Sequence, residues 1–144
     1  MQLQTTSETI SYIREYENLI AGFYEAMAAR FADHAEELTA LAADNRKYIM
    51  LLERAYYSVI SDAIEGGYAF DMDPDAYKFD GVLAADATLA QAVQQALTLE
   101  TTSIEFYTLA AEQSASLMAD VPQMMKQIIK KKNRRQEVIG QIAG

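Results

Sequence analysis

Apolar positions spaced alternately three and four residues apart, each row interrupted at its middle by a polar residue, constrain this chain more than any other feature. The first row is Ile10, Ile13, Glu17, Ile20, Tyr24, Met27 and Phe31; the second is Leu38, Leu41, Asn45, Tyr48, Leu52, Ala55 and Val59. A third runs Val93, Ala96, Glu100, Ser103, Tyr107 and Ala110. Such alternation places every member on one face of a helix, so each row predicts a bundle seam. A fourth, less regular row is read as Ile129, Asn133, Gln136 and Gly140. Polar residues at one level of all four seams predict a polar cluster in the centre of the core.

The punctuation between the rows fits helices joined by short turns and one long connection. The first helix is expected to start after Ser7 and to stop near Phe31–Ala32, where Asp33 and Glu36 have the form of a capping box. Gly66–Gly67 is the expected stop of the second helix. Residues 67–87, rich in Asp and Tyr and containing Pro74, are long enough to run the length of a bundle as a crossover. Thr88 with Gln91 opens the third helix, and Asp120 with Gln123, with Pro122 in the first turn, opens the fourth. The expected fold is all-α: one domain, residues 1–144, forming an antiparallel four-helix bundle with a long crossover between helices two and three.

Composition agrees. With 144 residues, 51% of them hydrophobic, the chain can build a continuous core, and six Gly and two Pro are too few for the turns of an all-β fold. The net charge of −9 excludes a predominantly basic, nucleic-acid-binding surface. No Cys rules out disulfides, thiolate metal sites and iron–sulfur centres, and a single His limits imidazole chemistry. The N-terminal stretch lacks the pattern of a signal peptide, and no apolar run approaches the roughly 18 residues of a membrane span. A cytoplasmic protein without membrane contact is expected.

The third row repeats the first. Glu17, five residues, Phe23–Tyr24 returns as Glu100, five residues, Phe106–Tyr107. The Leu41-Ala42-x-x-Asn45-x-x-Tyr48 run of the second helix is matched to Ile129-x-x-x-Asn133-x-x-Gln136 of the fourth. A duplicated helix pair joined by a crossover is the construction of ferritin-like bundles. At these residues the chain resembles the rubrerythrin-type ferritin-like family, which carries a Glu and a following aromatic–Tyr on helices one and three, and Glu-x-x-His on helices two and four. The resemblance spans nearly the whole chain. It implies a di-iron centre that reduces peroxide or activates oxygen. Glu17, Glu100, Tyr24 and Tyr107 match the family pattern. Asn45, Tyr48, Asn133 and Gln136 stand where the two Glu-x-x-His pairs belong, so both bridging carboxylates and both imidazoles are missing.

Two carboxylates with neutral amides make a hard oxygen site of low charge, ill suited to a pair of redox-active irons. The expectation is therefore a non-catalytic scaffold or binding protein without cofactor, its former metal cage turned into a hydrogen-bonded network of Glu17, Tyr24, Asn45, Tyr48, Glu100, Tyr107, Asn133 and Gln136. Two alternatives stand beside it. One is an oxidoreductase with an altered site, holding iron or another divalent metal on Glu17 and Glu100, completed by Asp44 or Glu137; these lie one position off the ligand row and face away from it unless the helix is overwound. The other is a small-molecule pocket lined by Tyr24, Tyr48 and Tyr107. His34 receives no role. Asp71, Asp73 and Asp75 alternate as in a calcium loop, but Ala76 and Val82 stand at the two most demanding positions, so an acidic connection is the better reading. Lys130, Lys131, Lys132, Arg134 and Arg135 are read as a solvated basic face. A homodimer is expected, with Met124, Met125, Tyr56 and Tyr57 as exposed interface candidates.

Overall fold

A computed structural model of the protein describes residues 2–60, 70–115 and 120–143. Its described residues form four α-helices: α1 (Thr6–Arg30), α2 (Ala35–Ile60), α3 (Leu89–Gln113) and α4 (Asp120–Ile142). The Val59 side chain and the expected stop at Gly66–Gly67 lie outside the described residues. None of the helices is long and apolar enough to cross a membrane.

Local chemistry sets the helix starts. Thr5 and Glu8 form a reciprocal capping box: the Thr5 hydroxyl accepts from the Glu8 N–H at 3.1 Å, and the Glu8 carboxylate accepts from the Thr5 N–H at 3.0 Å. Thr88 and Gln91 do the same for α3, as their sequence predicts. The expected box at Asp33 does not form. Asp33 lies inside a 3-10 turn, Ala32–His34, and α2 begins one residue later. The chain reverses so tightly there that the His34 N–H bonds to the Phe31 carbonyl at 2.9 Å, which removes the extended cap conformation Asp33 would need.

Apart from half-buried Phe31, the described residues of the first three seams are buried as their spacing predicts. Ile13, Ile20, Tyr24 and Met27 on α1, Leu38 and Leu52 on α2, and Ala96, Tyr107 and Ala110 on α3 join one hydrophobic cluster that also takes in Met125, Ile128 and Ile139 of α4. Each large side chain so buried contributes about 1.5–3 kcal/mol. Helix α1 packs on α2, α3 on α4, and α2 also on α4. Arg14 pairs with Glu53, Glu17 with Asn45, and the Arg46 guanidinium grips Glu25 through two bonds of 3.0 and 3.1 Å.

Residues 70–84, between α2 and α3, follow α1 from one end to the other. Leu3 and Met72 exchange backbone hydrogen bonds of 2.7 and 3.1 Å, the Tyr16 hydroxyl donates to the Tyr77 carbonyl at 3.0 Å, and Arg30 donates to the Ala84 carbonyl at 2.8 Å. Gly81 passes against Leu19 so closely that an added Cβ would sit 3.1 Å from its Cγ. Each acid of the calcium-like run has a structural partner: Asp71 accepts from Gln2, Asp73 caps the turn Pro74–Tyr77, and Asp75 pairs with Lys78. His34 lies off every seam, beside Glu37.

Candidate functional site

The four helices bring their mid-seam residues to one place. Glu17 and Glu100 have no solvent-exposed surface. Each accepts from a tyrosine of the other helix of the α1–α3 pair: Tyr107 donates to Glu17 at 2.9 Å and Tyr24 to Glu100 at 2.7 Å. Asn45 donates to the second oxygen of Glu17 at 2.6 Å. Tyr48, buried one turn further along α2, accepts from Arg135 at 3.3 Å. Six of the eight residues expected in the polar centre are therefore found there.

Asn133 and Gln136 are not. Asn133 is exposed and bonds back to the Ile129 carbonyl of its own helix, while Gln136 reaches Thr101 near the surface. The α4 seam runs one position earlier than expected: Val121, Met125, Ile128, Lys132, Arg135, Ile139 and Ile142 are buried, in perfect four-three alternation. One residue turns a side chain by about 100°, which carries Asn133 and Gln136 off the face. The basic run is corrected with it. Lys130, Lys131 and Arg134 are exposed, but Lys132 is wholly buried and Arg135 is 5% exposed.

These two cations complete the centre. Lys132 Nζ lies 2.9 Å from Glu17 Oε1, and Arg135 Nη2 lies 3.2 Å from Glu100 Oε2. The Lys132 contact is an ion pair whose direction is not that of a hydrogen bond. Arg135 also donates to Asn45 Oδ1 at 2.7 Å, tying the α2 amide between both acids. Aromatic faces carry the rest of the charge: Lys132 Nζ stands 5.3 Å from the Tyr48 and Tyr107 ring centres, and the Arg135 guanidinium 5.1 Å from that of Tyr24. Two acids and two bases make the cluster neutral as a whole, the condition on which buried charges persist.

The electrostatics follow from that enclosure. Burial pushes the Tyr24 and Tyr107 phenols well above their ordinary range, and the carboxylate each one faces pushes them further. Tyr48 is also raised by burial, against the opposing pull of Arg135. Burial disfavours the charge of Arg135, but Glu100 and the surrounding phenols outweigh it and raise its pKa. The phenols are thus hydrogen-bond donors held neutral, and the carboxylates acceptors already engaged.

Asp44 and Glu137 lie off the centre, half-buried and exposed respectively, as the helical rotation predicts. Of the proposed interface residues Tyr57 is exposed and Met124 half-buried, but Met125 and Tyr56 are buried, because they fall on the core-facing sides of α4 and α2. Among the described residues no three His, Cys, Asp or Glu side chains converge as a metal cluster would require.

The signal that sequence reading passed over is the regular 4-3 row through Lys132 and Arg135. Two cations inside an apolar row look like surface residues until the two buried acids are counted against them. Comparison with family models, curated proteins and solved structures returns no match for this chain.

Proposed function

We propose that the chain is a rubrerythrin-like ferritin-superfamily domain, an antiparallel bundle with a long crossover, in which an organic ion-pair network has taken the role of the metal centre and which acts as a non-catalytic scaffold or binding protein. The observation that carries this reading is the pairing of Lys132 with Glu17 and of Arg135 with Glu100 at the middle of all four seams. The crosswise bonds Tyr107–Glu17 and Tyr24–Glu100 support a duplicated helix pair related by an approximate twofold axis. The course of residues 70–84 along α1 supports the crossover.

The residues present do not fit a dinuclear iron centre. Two metal ions would need the carboxylates that Lys132 and Arg135 neutralise, and would enter beside two fixed positive charges in a medium of low dielectric. Nor do the central tyrosines favour a ligand among them, since the Tyr24 and Tyr107 hydroxyls already serve the acids. What the arrangement does well is lock four helices in register, because each bond joins residues from different helices and a slip of one position breaks several at once. A two-copy assembly is part of the same reading, with exposed Met50 and Tyr57 on α2 as its apolar contacts.

The test is metal analysis of protein expressed with iron, then incubated with ferrous salt and desalted. Iron well below one equivalent per chain is expected, with colourless protein that leaves hydrogen peroxide intact. Two tightly held irons, with peroxide reduction lost on Glu17→Gln, would replace this reading with the oxidoreductase one.

A further inference from the structure

The seam between α2 and α4 opens outward beside the polar centre as a groove of about 520 Å³, a size usual for small-ligand sites. Its apolar wall is Ala40, Leu41 and Val138, and Lys47, Lys131 and Arg134 line its rim. Tyr48 and Arg135 line it from the core side. None of the three rim cations has a carboxylate within ion-pair distance among the described residues, although the chain carries 21 acids.

Two buried groups at this wall are underused. The Tyr48 hydroxyl accepts from Arg135 but donates to no acceptor among the described residues, and Tyr48 is 3% exposed. A phenol can do both, so its proton is available. Arg135 Nε has no partner either. Unused donors and clustered like charges both favour an incoming oxyanion, which would relieve the repulsion and complete the hydrogen bonds.

Charge sets the ligand class. Arg135 is matched by Glu100, and the groove also contains Glu37 and Asp44, so three rim cations face two acids. One surplus positive charge suits a monoanion and not a polyanion such as nucleic acid. We infer that the α2–α4 groove binds a small organic carboxylate, its oxygens toward Tyr48 and the Lys131–Arg134 rim and its apolar body against Leu41 and Val138. This inference rests on the pairing of Arg135 with Glu100, and iron content and benzoate binding are measured separately so that the two readings can fail independently.

Benzoate titrated into the intact protein and followed by amide chemical shifts is the direct test. Saturable shifts confined to α2 and α4 around Lys47, Tyr48, Lys131 and Arg134 are expected. The exposed double substitution Lys131→Glu/Arg134→Glu should weaken binding by about tenfold or more, an order expected for losing charge-assisted contacts. Lys126→Glu/Lys130→Glu, on the same helix but outside the groove, should change it less than about twofold, as screened distant charges do. Benzylammonium should not bind, and inorganic phosphate, lacking the apolar body, should bind more weakly. Shifts that never saturate, equal binding of benzylammonium, or affinity unchanged in Lys131→Glu/Arg134→Glu would overturn the proposal.

Discussion

Glu17 and Glu100 occupy matching positions on α1 and α3, yet their surroundings differ. Glu17 uses both oxygens: Oε1 accepts from Tyr107 and faces Lys132, and Oε2 accepts from Asn45. Glu100 uses one. Its Oε2 takes Tyr24 and Arg135, while among the described residues Oε1 has no partner, and neither does the Ser103 hydroxyl one turn along the same helix. The difference arises on α2, where a single asparagine leans toward Glu17 and offers only its carbonyl to Arg135. Two helices can thus carry an acid and a tyrosine at matching positions while one acid becomes a tight node and the other a looser one. Arg135 offsets this asymmetry, because its guanidinium reaches the Leu41 carbonyl, Asn45 and Tyr48 as well as Glu100, whereas Lys132 has one ion pair and two ring faces.

That contrast can be broken most directly at Glu17. Glu17→Gln leaves Lys132 buried without its counter-charge and should lower the free energy of urea unfolding by about 3–5 kcal/mol, the usual cost of removing one partner of a buried pair. Adding Lys132→Met should recover much of that loss, since an apolar replacement of a whole buried pair is often neutral. If the double substitution is no more stable than Glu17→Gln alone, Glu17 and Lys132 are not a coupled unit.

Glu100→Gln also strips a buried cation of its counter-charge, but Arg135 keeps hydrogen-bond acceptors at Leu41, Asn45 and Tyr48, so the loss should fall at the lower end of that range, about 3 kcal/mol. Equal losses at Glu17 and Glu100 in matched denaturation curves would erase the distinction between the two nodes.

Alkaline pH probes both halves together. Tyr24 and Tyr107 are raised above the ordinary phenol value of 10.0 by burial and by their carboxylates, so the folded state holds two protons that the unfolded chain gives up. Their contribution is complete below pH 10 and is lost as pH rises above it. The urea midpoint should fall through that range, and Tyr24→Phe/Tyr107→Phe should flatten the fall. A midpoint insensitive to pH above 10 would contradict the enclosure of the phenols.

Smaller effects sharpen the register of α4. Asn133→Ala and Gln136→Ala should each change stability by less than about 0.5 kcal/mol, as surface substitutions do. A loss of several kcal/mol at Asn133, with Lys132→Met tolerated, would restore the row read from sequence in place of the one the structure gives.

Helical class, the first three seams and six members of the polar centre were legible in the order of residues. Ile13, Glu17, Ile20 and Tyr24 announce their shared face through spacing alone, because helix geometry is local. Thr88 and Gln91 announce a start for the same reason. Asp33 misled, since its capping pattern competes with the 3-10 turn that the reversal between α1 and α2 imposes.

The fourth seam keeps the 4-3 spacing through Val121, Met125, Ile128, Ile139 and Ile142, but Lys132 and Arg135 disguise it. Lys132 and Arg135 belong on an apolar face only because Glu17 and Glu100 wait on other helices. An isolated helix would turn both cations toward water, and Asn133 and Gln136 made the more plausible polar row. The sequence by itself determined where helices form and which face of three of them is buried. Which face of α4 turns inward, and hence what stands at the centre of the bundle, was decided by tertiary structure: Coulomb attraction between groups far apart in the chain outweighs the cost of burying charge only once packing has brought them within about 3 Å and excluded water.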